Sequence, residues 1–204
     1  STPIKSSAAS DVYKRQVCQG IRKLRVQQGE KIVVIGAGTM GVLNALVAKA
    51  EGCEVMITEM MDKKIEVAKE LGLNVVDVKE KDPVEAVKEW TDGRGVDAVI
   101  LAVGVTAAND QALEMIKRLH GRILMFAAGY PAPELHVDSN LIHYKELQVC
   151  GVHATTVHFM KEIMNLMEEG KLNLGKYVEM TTNIDNIMNC LLYTSDAADD
   201  LIGV

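Results

Sequence analysis

Apolar residues in this chain come in short continuous runs, separated by stretches where they fall at helical spacing. KIVVIGAG (31–38) is apolar on both faces and closes in glycines, the pattern of a strand covered on both sides. MGVLNALVAKAEG (40–52) then follows helical periodicity and stops at Gly52. CEVMITE (53–59) predicts a second strand, DKKIEVAKELG (62–72) a helix opened by Asp62 and ended by Gly72, and NVVDV (74–78) a third strand. DPVEAVKEWT (82–91) is a helix with Asp82 as cap and Pro83 in its first turn. VDAVILAVG (96–104) predicts a fourth strand, residues 107–119 a helix, and RILMFAAG (122–129) a fifth strand. After the proline-bearing loop GYPAPELHVDSN, YKELQVCGVH (144–153) reads as the sixth strand. An amphipathic helix over 156–170 completes the pattern, its methionines read as core filler.

Six strands alternating with helices, with no internal repeat or low-complexity linker, predict an α/β fold: a Rossmann-type doubly wound six-stranded parallel sheet. Right-handed crossovers put the ligand crevice at the carboxyl ends of the strands, where Gly36, Glu59, Gly104 and Ala127 fall.

Both ends break the pattern. SSAASDVYKRQ (6–16) back-translates to a transposase adapter used in sequencing-library preparation, and CLLYTSDAADD (190–200) to the reverse complement of the same DNA. Residues 1–16 and 190–204 are therefore expected to be adapter-encoded and are set aside from the fold. The expected organisation is a nucleotide-binding domain over 17–175, then a segment, 176–189, leading back toward a domain the chain lacks.

Composition narrows the function classes. A formal net charge of −6 gives no basic footprint for nucleic acid and no polybasic membrane anchor. No apolar run approaches the length of a membrane span. Outside the adapter-like ends, Cys18, Cys53 and Cys150 are scattered, without the spacing of a zinc knuckle or a disulfide framework. Reduced thiols and a cytoplasmic setting are the natural expectation.

The sharpest motif is Gly36-Ala37-Gly38-Thr39-Met40-Gly41, placed where a buried strand opens into a helix. In that context Gly36 permits the tight turn, Gly38 lets a pyrophosphate approach the backbone, and Gly41 lets helix and strand pack closely. The helix start offers free N–H groups and partial positive charge to the phosphates. Glu59, ending the second strand, can accept hydrogen bonds from the adenosine ribose and would repel a 2′-phosphate, which favours NAD over NADP. Lys63 and Lys64 stand close enough to complicate that preference.

The remaining residues carry little chemistry. His153 and His158 lack the spacing of a helical metal pair, and no metal site is expected. His120, His136 and His143 read as surface or loop residues, and Cys150 as an inert thiol in an apolar strand. The sequence shows neither a nucleophile elbow nor an acid–base pair, so no catalytic residue is assigned.

GIRKLRVQQGEKIVVIGAGTMG, EMMDKKIEVAKELG, GRGVDAVILAVG, GRILMFAAG and LIHYKELQVCG, in that order, resemble the cofactor domain of the medium-chain dehydrogenase/reductase superfamily. Within it the chain is similar to the zinc-dependent alcohol and polyol branch, such as sorbitol and threonine dehydrogenases. The resemblance implies that Phe126, Ala127, Ala128, Val152 and His153 run past the nicotinamide end of the cofactor. It also implies that Ala102, Val103 and Gly104 approach from the fourth strand, and that Lys64 helps hold the ribose. It further implies a catalytic zinc whose ligands lie in a domain upstream of residue 17. Hydride would pass between a secondary alcohol or polyol and nicotinamide. Edge-to-edge pairing through Leu147 to Val152 would make a homo-oligomer. A zinc-free NADPH-dependent enoyl or quinone reductase, a non-catalytic nucleotide-sensing module and a methyltransferase remain open as alternatives.

Overall fold

The structure, a computed structural model, describes residues 8–153, 165, 166 and 168–171. Helix α1 (Ala8–Leu24) leads into β1 (Lys31–Ile35), α2 (Thr39–Ala50), β2 (Glu54–Glu59), α3 (Asp62–Glu70) and β3 (Asn74–Asp77). The second half continues through α4 (Pro83–Trp90), β4 (Ala98–Leu101), α5 (Thr106–Met115), β5 (Arg122–Met125), α6 (Ser139–Lys145) and β6 (Gln148–Gly151). All six strands form one sheet in the order β3-β2-β1-β4-β5-β6, each neighbour parallel. This is the doubly wound α/β arrangement expected from the alternation of elements.

The period-two geometry of a strand explains the two cores. Ile32, Val34, Ala98, Ile100 and Leu124 point to one face, where they pack with α1, α2 and α3 through residues such as Ile21, Ala45 and Ala68. Val33, Ile35, Val99, Leu101 and Ile123 point to the other, against Val87 of α4 and Ala108, Ala112 and Met115 of α5. Buried on both sides, the central strands need apolar residues at every position.

Helix α1 buries Val17, Cys18, Ile21 and Leu24, one face at helical spacing. Residues 8–16, set aside on sequence grounds, continue this helix. Its C-terminus is anchored by Arg122, 8 % exposed, which donates to Leu24 O at 2.7 Å and Arg25 O at 3.0 Å and pairs with Glu30 at 2.6 Å. A planar guanidinium suits this role because it satisfies carbonyls and a carboxylate at once.

Several boundaries differ from the sequence reading: β4 and β5 stop at Leu101 and Met125, short of residues 104 and 129, and two further differences have a local cause. Helix α5 ends at Met115, not residue 119, because Ile116 bridges in parallel to Val96, with Val96 N donating to Met115 O at 2.9 Å and Lys117 N to Val96 O at 3.0 Å. Tyr144 and Lys145, read as the start of the sixth strand, belong to α6. Asp138 caps that helix by accepting from Asn140 N at 2.9 Å, and Glu146 adopts the left-handed conformation that turns the chain into β6. Asp62 likewise begins α3 one residue inside its cap, Met61, and forms an ion pair with Lys79. Of the helix expected over 156–170, Asn165, Leu166 and Glu168 are helical. Glu169 and Gly170 form a turn, and the remaining positions of that helix, with residues 172–204, lie outside the described residues. Among the described residues no helix is long and apolar enough to cross a membrane.

Candidate functional site

Strands β1 and β4 are neighbours whose following chains part to opposite faces of the sheet, and this opens a crevice at their carboxyl ends. The glycine turn stands there, and its three glycines have different reasons to be glycine. Gly36 has φ 100°, and a Cβ on it would lie 2.4 Å from Val103 Cγ1. A Cβ on Gly41 would sit 1.9 Å from Gly36 O, which no side-chain adjustment relieves. Both are demanded by packing. A Cβ on Gly38 would meet nothing within 4 Å, and its φ of −66° suits any residue. Neither crowding nor backbone geometry accounts for Gly38; it leaves open the surface at the start of α2.

That helix start has no side-chain cap. The first amides of a helix have no acceptor within it, so Thr39, Met40 and Gly41 present N–H groups and the positive end of the dipole, an arrangement suited to an anion. Thr39 is exposed and Met40 half-buried.

Glu59 closes the other side of the turn. Its Oε2 accepts from Ala37 N at 2.7 Å, and its Oε1 accepts from Met60 N at 2.7 Å and Met61 N at 3.0 Å. The side chain is largely enclosed, yet every N–H facing it is satisfied. A carboxylate offers about four acceptor positions, so one remains, on Oε2 beside the turn. Lys64 stands on the first turn of α3, half-buried.

Ala102 and Val103 pack against Gly41 and Gly36, so the chain leaving β4 is seated on the turn. Gly104 then meets the chain leaving β5: a Cβ on it would lie 2.4 Å from Ala128 C, and one on Gly129 would lie 2.1 Å from Gly104 O. Beyond this contact is a cleft of about 470 Å³, lined by Phe126, Ala127, Ala128, Val152 and His153 together with Gln16, Lys23, Met125 and Gly151. The expected residues thus form two groups, the turn with Glu59 and the cleft, joined through residues 102–104.

Lys23, which no motif singled out, crosses the cleft wall by donating from Nζ to Gly151 O at 2.7 Å. A lone lysine at the end of an amphipathic helix carries no pattern that could have found it. His120, His136 and His143 are exposed, as read, though His143 is helical. His153 is exposed too, and His158 lies outside the described residues. Cys53 is buried, and desolvation together with the nearby Glu30 and Glu51 pushes its thiol up to about 11. Burial also pushes the half-buried Cys150 thiol up, against the pull of Lys23 and Arg25, in keeping with an inert thiol. No group of three or more His, Cys, Asp or Glu side chains that could hold a metal ion occurs among the described residues.

A 3-2-1-4-5-6 parallel sheet with an uncapped, glycine-bounded helix start at its crevice is a Rossmann-type domain. The family described as zinc-binding dehydrogenase matches residues 27–169, and the chain belongs to that family. It is 32% identical over 170 residues to 2-dehydro-3-deoxy-L-galactonate 5-dehydrogenase of Pseudoalteromonas atlantica, covering 83% of this chain and 49% of that protein. It is 35% identical over 156 residues to L-threonine 3-dehydrogenase of Pyrococcus abyssi, covering 74% of this chain and 43% of that protein. Benzyl alcohol dehydrogenase from Acinetobacter calcoaceticus shares the fold, with a TM-score of 0.80 at 22% identity over 96% of this chain and 56% of that one. The chain spans about half the length of the curated relatives it matches. The branch to which the sequence was likened, zinc-dependent alcohol and polyol dehydrogenases, is thus the one its relatives occupy.

Proposed function

We propose that this chain is the coenzyme-binding domain of an NAD-dependent, zinc-type alcohol or polyol dehydrogenase. The observation that carries the reading is the pairing of Gly38, whose open surface packing does not explain, with the carboxylate of Glu59 across the same turn. In this reading the amides of Thr39, Met40 and Gly41 receive the pyrophosphate, and the remaining acceptor position of Glu59 takes a ribose hydroxyl. Lys64 assists at the ribose. Ala102, Val103 and Gly104 from β4, Phe126, Ala127 and Ala128 from β5, and Val152 and His153 after β6 flank the nicotinamide. Bound nicotinamide would supply the hydride acceptor and donor for a secondary alcohol and its ketone. Glu59, already an enclosed anion, disfavours a second negative charge at the 2′ position, hence NAD over NADP.

Zinc, its ligands and the acid–base groups belong, in this reading, to a preceding domain of the parent protein, and residues 176–189 begin the return to it. The parent acts in the cytoplasm, and β6, an outer strand of the sheet, is where a second copy would pair. The test is calorimetric titration of the chain with NADH, NADPH and S-adenosylmethionine, beside an alcohol-oxidation assay. NADH binding well ahead of the other two, with no turnover, is the expected result. Preference for NADPH would turn the reading toward a reductase. Preference for S-adenosylmethionine would end it, and alcohol turnover by this chain would refute its being a cofactor domain alone.

A further inference from the structure

The chain leaving β5 runs past the cleft as residues 126–128 and continues as a loop to α6. Nothing in a glycine- and proline-rich loop fixes its own position, yet here one residue of it is held from both sides. Glu134 N donates to Thr106 Oγ1 at 2.9 Å, and Glu134 O accepts from Asn109 Nδ2 at 2.6 Å. Both side chains come from the first turn of α5, and Asn109 is 1 % exposed. Two side chains thereby satisfy the two main-chain polar groups of Glu134, much as a neighbouring strand would. His136 adds an outer tie, its Nδ1 facing Asp110 of α5 at 3.1 Å and its Nε2 facing Glu134 at 2.8 Å. Upstream, Gly104 and Gly129 bring the same two segments into backbone contact.

Apart from the His136–Glu134 contact, which lies within the loop, these ties join the β4–α5 connection, with the start of α5 that follows it, to the β5–α6 loop. The first is seated on the glycine turn through Val103, the second forms the wall of the cleft. We propose that Thr106 and Asn109 are positioning residues that set the distance between the glycine turn and residues 126–128, and so fix the fit of the nicotinamide half of the cofactor. The proposal rests on the coenzyme-binding reading above. It assigns no contact with the cofactor to either residue; each acts through the main chain of Glu134. A buried asparagine is costly to desolvate unless bonded, and here its amide serves a segment 25 residues away in sequence.

The measurement compares NADH with ADP-ribose, which lacks the nicotinamide, on the wild-type chain and on Thr106→Val, Thr106→Ser and Asn109→Ala. Thr106→Val removes the acceptor at nearly constant shape and keeps the test open should Asn109→Ala fail to fold. Wild type is expected to bind NADH more tightly than ADP-ribose. Thr106→Val should weaken NADH about three- to tenfold, with ADP-ribose held within about twofold. Thr106→Ser should restore the wild-type ratio. Equal losses for both ligands would make the ties merely structural and overturn the proposal. So would an unchanged ratio in a folded Thr106→Val chain, or a wild type that binds both ligands equally. A wild type that binds neither would instead remove the coenzyme reading itself.

Discussion

Gly38→Ser separates stability from binding at one position. The site is open, with no atom within 4 Å of the new Cβ, and φ −66°, ψ 176° is ordinary extended backbone for serine. Two effects favour the folded variant. Replacing glycine restricts the unfolded chain, worth about 0.4–1 kcal/mol at a compatible site. A serine hydroxyl also caps α2 where no side chain does so now, adding a few tenths. The sum, roughly 0.5–1.5 kcal/mol, corresponds to a rise of about 1–6 °C in Tm for a chain of this size. Binding should move the other way. In the proposed reading the hydroxyl takes amides otherwise offered to the pyrophosphate and occupies its approach. One lost bond to a charged group, about 1.5–3 kcal/mol, weakens NADH roughly 10- to 150-fold. Thermal unfolding and calorimetric titration of the same preparation read both quantities. The control is Gly41→Ala, whose Cβ strikes main chain at 1.9 Å and should cost about 3 kcal/mol or more. Gly38→Ser binding NADH within twofold of wild type would show that the turn is not the phosphate site. A marked loss of stability in Gly38→Ser would show that the open surface has been misjudged.

Glu59→Gln places an NH₂ group where three backbone N–H groups converge; urea unfolding should show a loss of about 1–3 kcal/mol, and the proposed preference for NADH over NADPH should shrink in titrations. Asp97 titrates low: burial alone would raise its carboxyl, but the bonds from Lys117 Nζ (2.7 Å) and Lys31 N (2.8 Å) outweigh it. Its stabilisation is therefore present above the ordinary value of 3.8 and lost as pH falls through the lower folded value, so Asp97→Asn should flatten that acid limb while costing about 1–3 kcal/mol at neutral pH. With its thiol pushed up to about 11, Cys53 should resist an aromatic disulfide reagent at pH 8 until the chain is unfolded; rapid reaction in the folded state would contradict its burial.

The sheet was legible because strands covered on both faces have to be apolar throughout, and runs such as VVI in β1 and AVIL in β4 have few other readings. The glycine turn was legible for a similar reason: the positive φ at Gly36 and the main-chain clash a Cβ would meet at Gly41 leave no alternative to glycine. What sequence reading missed depends on contacts distant in the chain. Helical periodicity runs on past Met115, and only the bridge to Val96, about twenty residues earlier, stops the helix there. Helix α6 buries none of its residues, so it has no apolar stripe to betray it. Lys23 at the cleft, Arg122 beneath α1, and Thr106 and Asn109 against Glu134 act through main-chain carbonyls and amides, which carry no signature in the sequence of the segment they hold.

The strand order has a consequence for the birth of the molecule. β1 lies at the centre, pairing with β2 on one side and β4 on the other, and Asp97 at the entry to β4 binds the amide of Lys31 from 66 residues away. A ribosome delivers the amino-terminal half first. β1, β2 and β3 can therefore assemble while the far side of β1, a row of unpaired main-chain groups between apolar side chains, waits for residues 98–101 to emerge. Such a bare edge will accept any available strand, including the same segment of a neighbouring nascent chain. Translation pausing between β3 and β4 would prolong that exposure, and a chain arrested there should aggregate where the completed one does not.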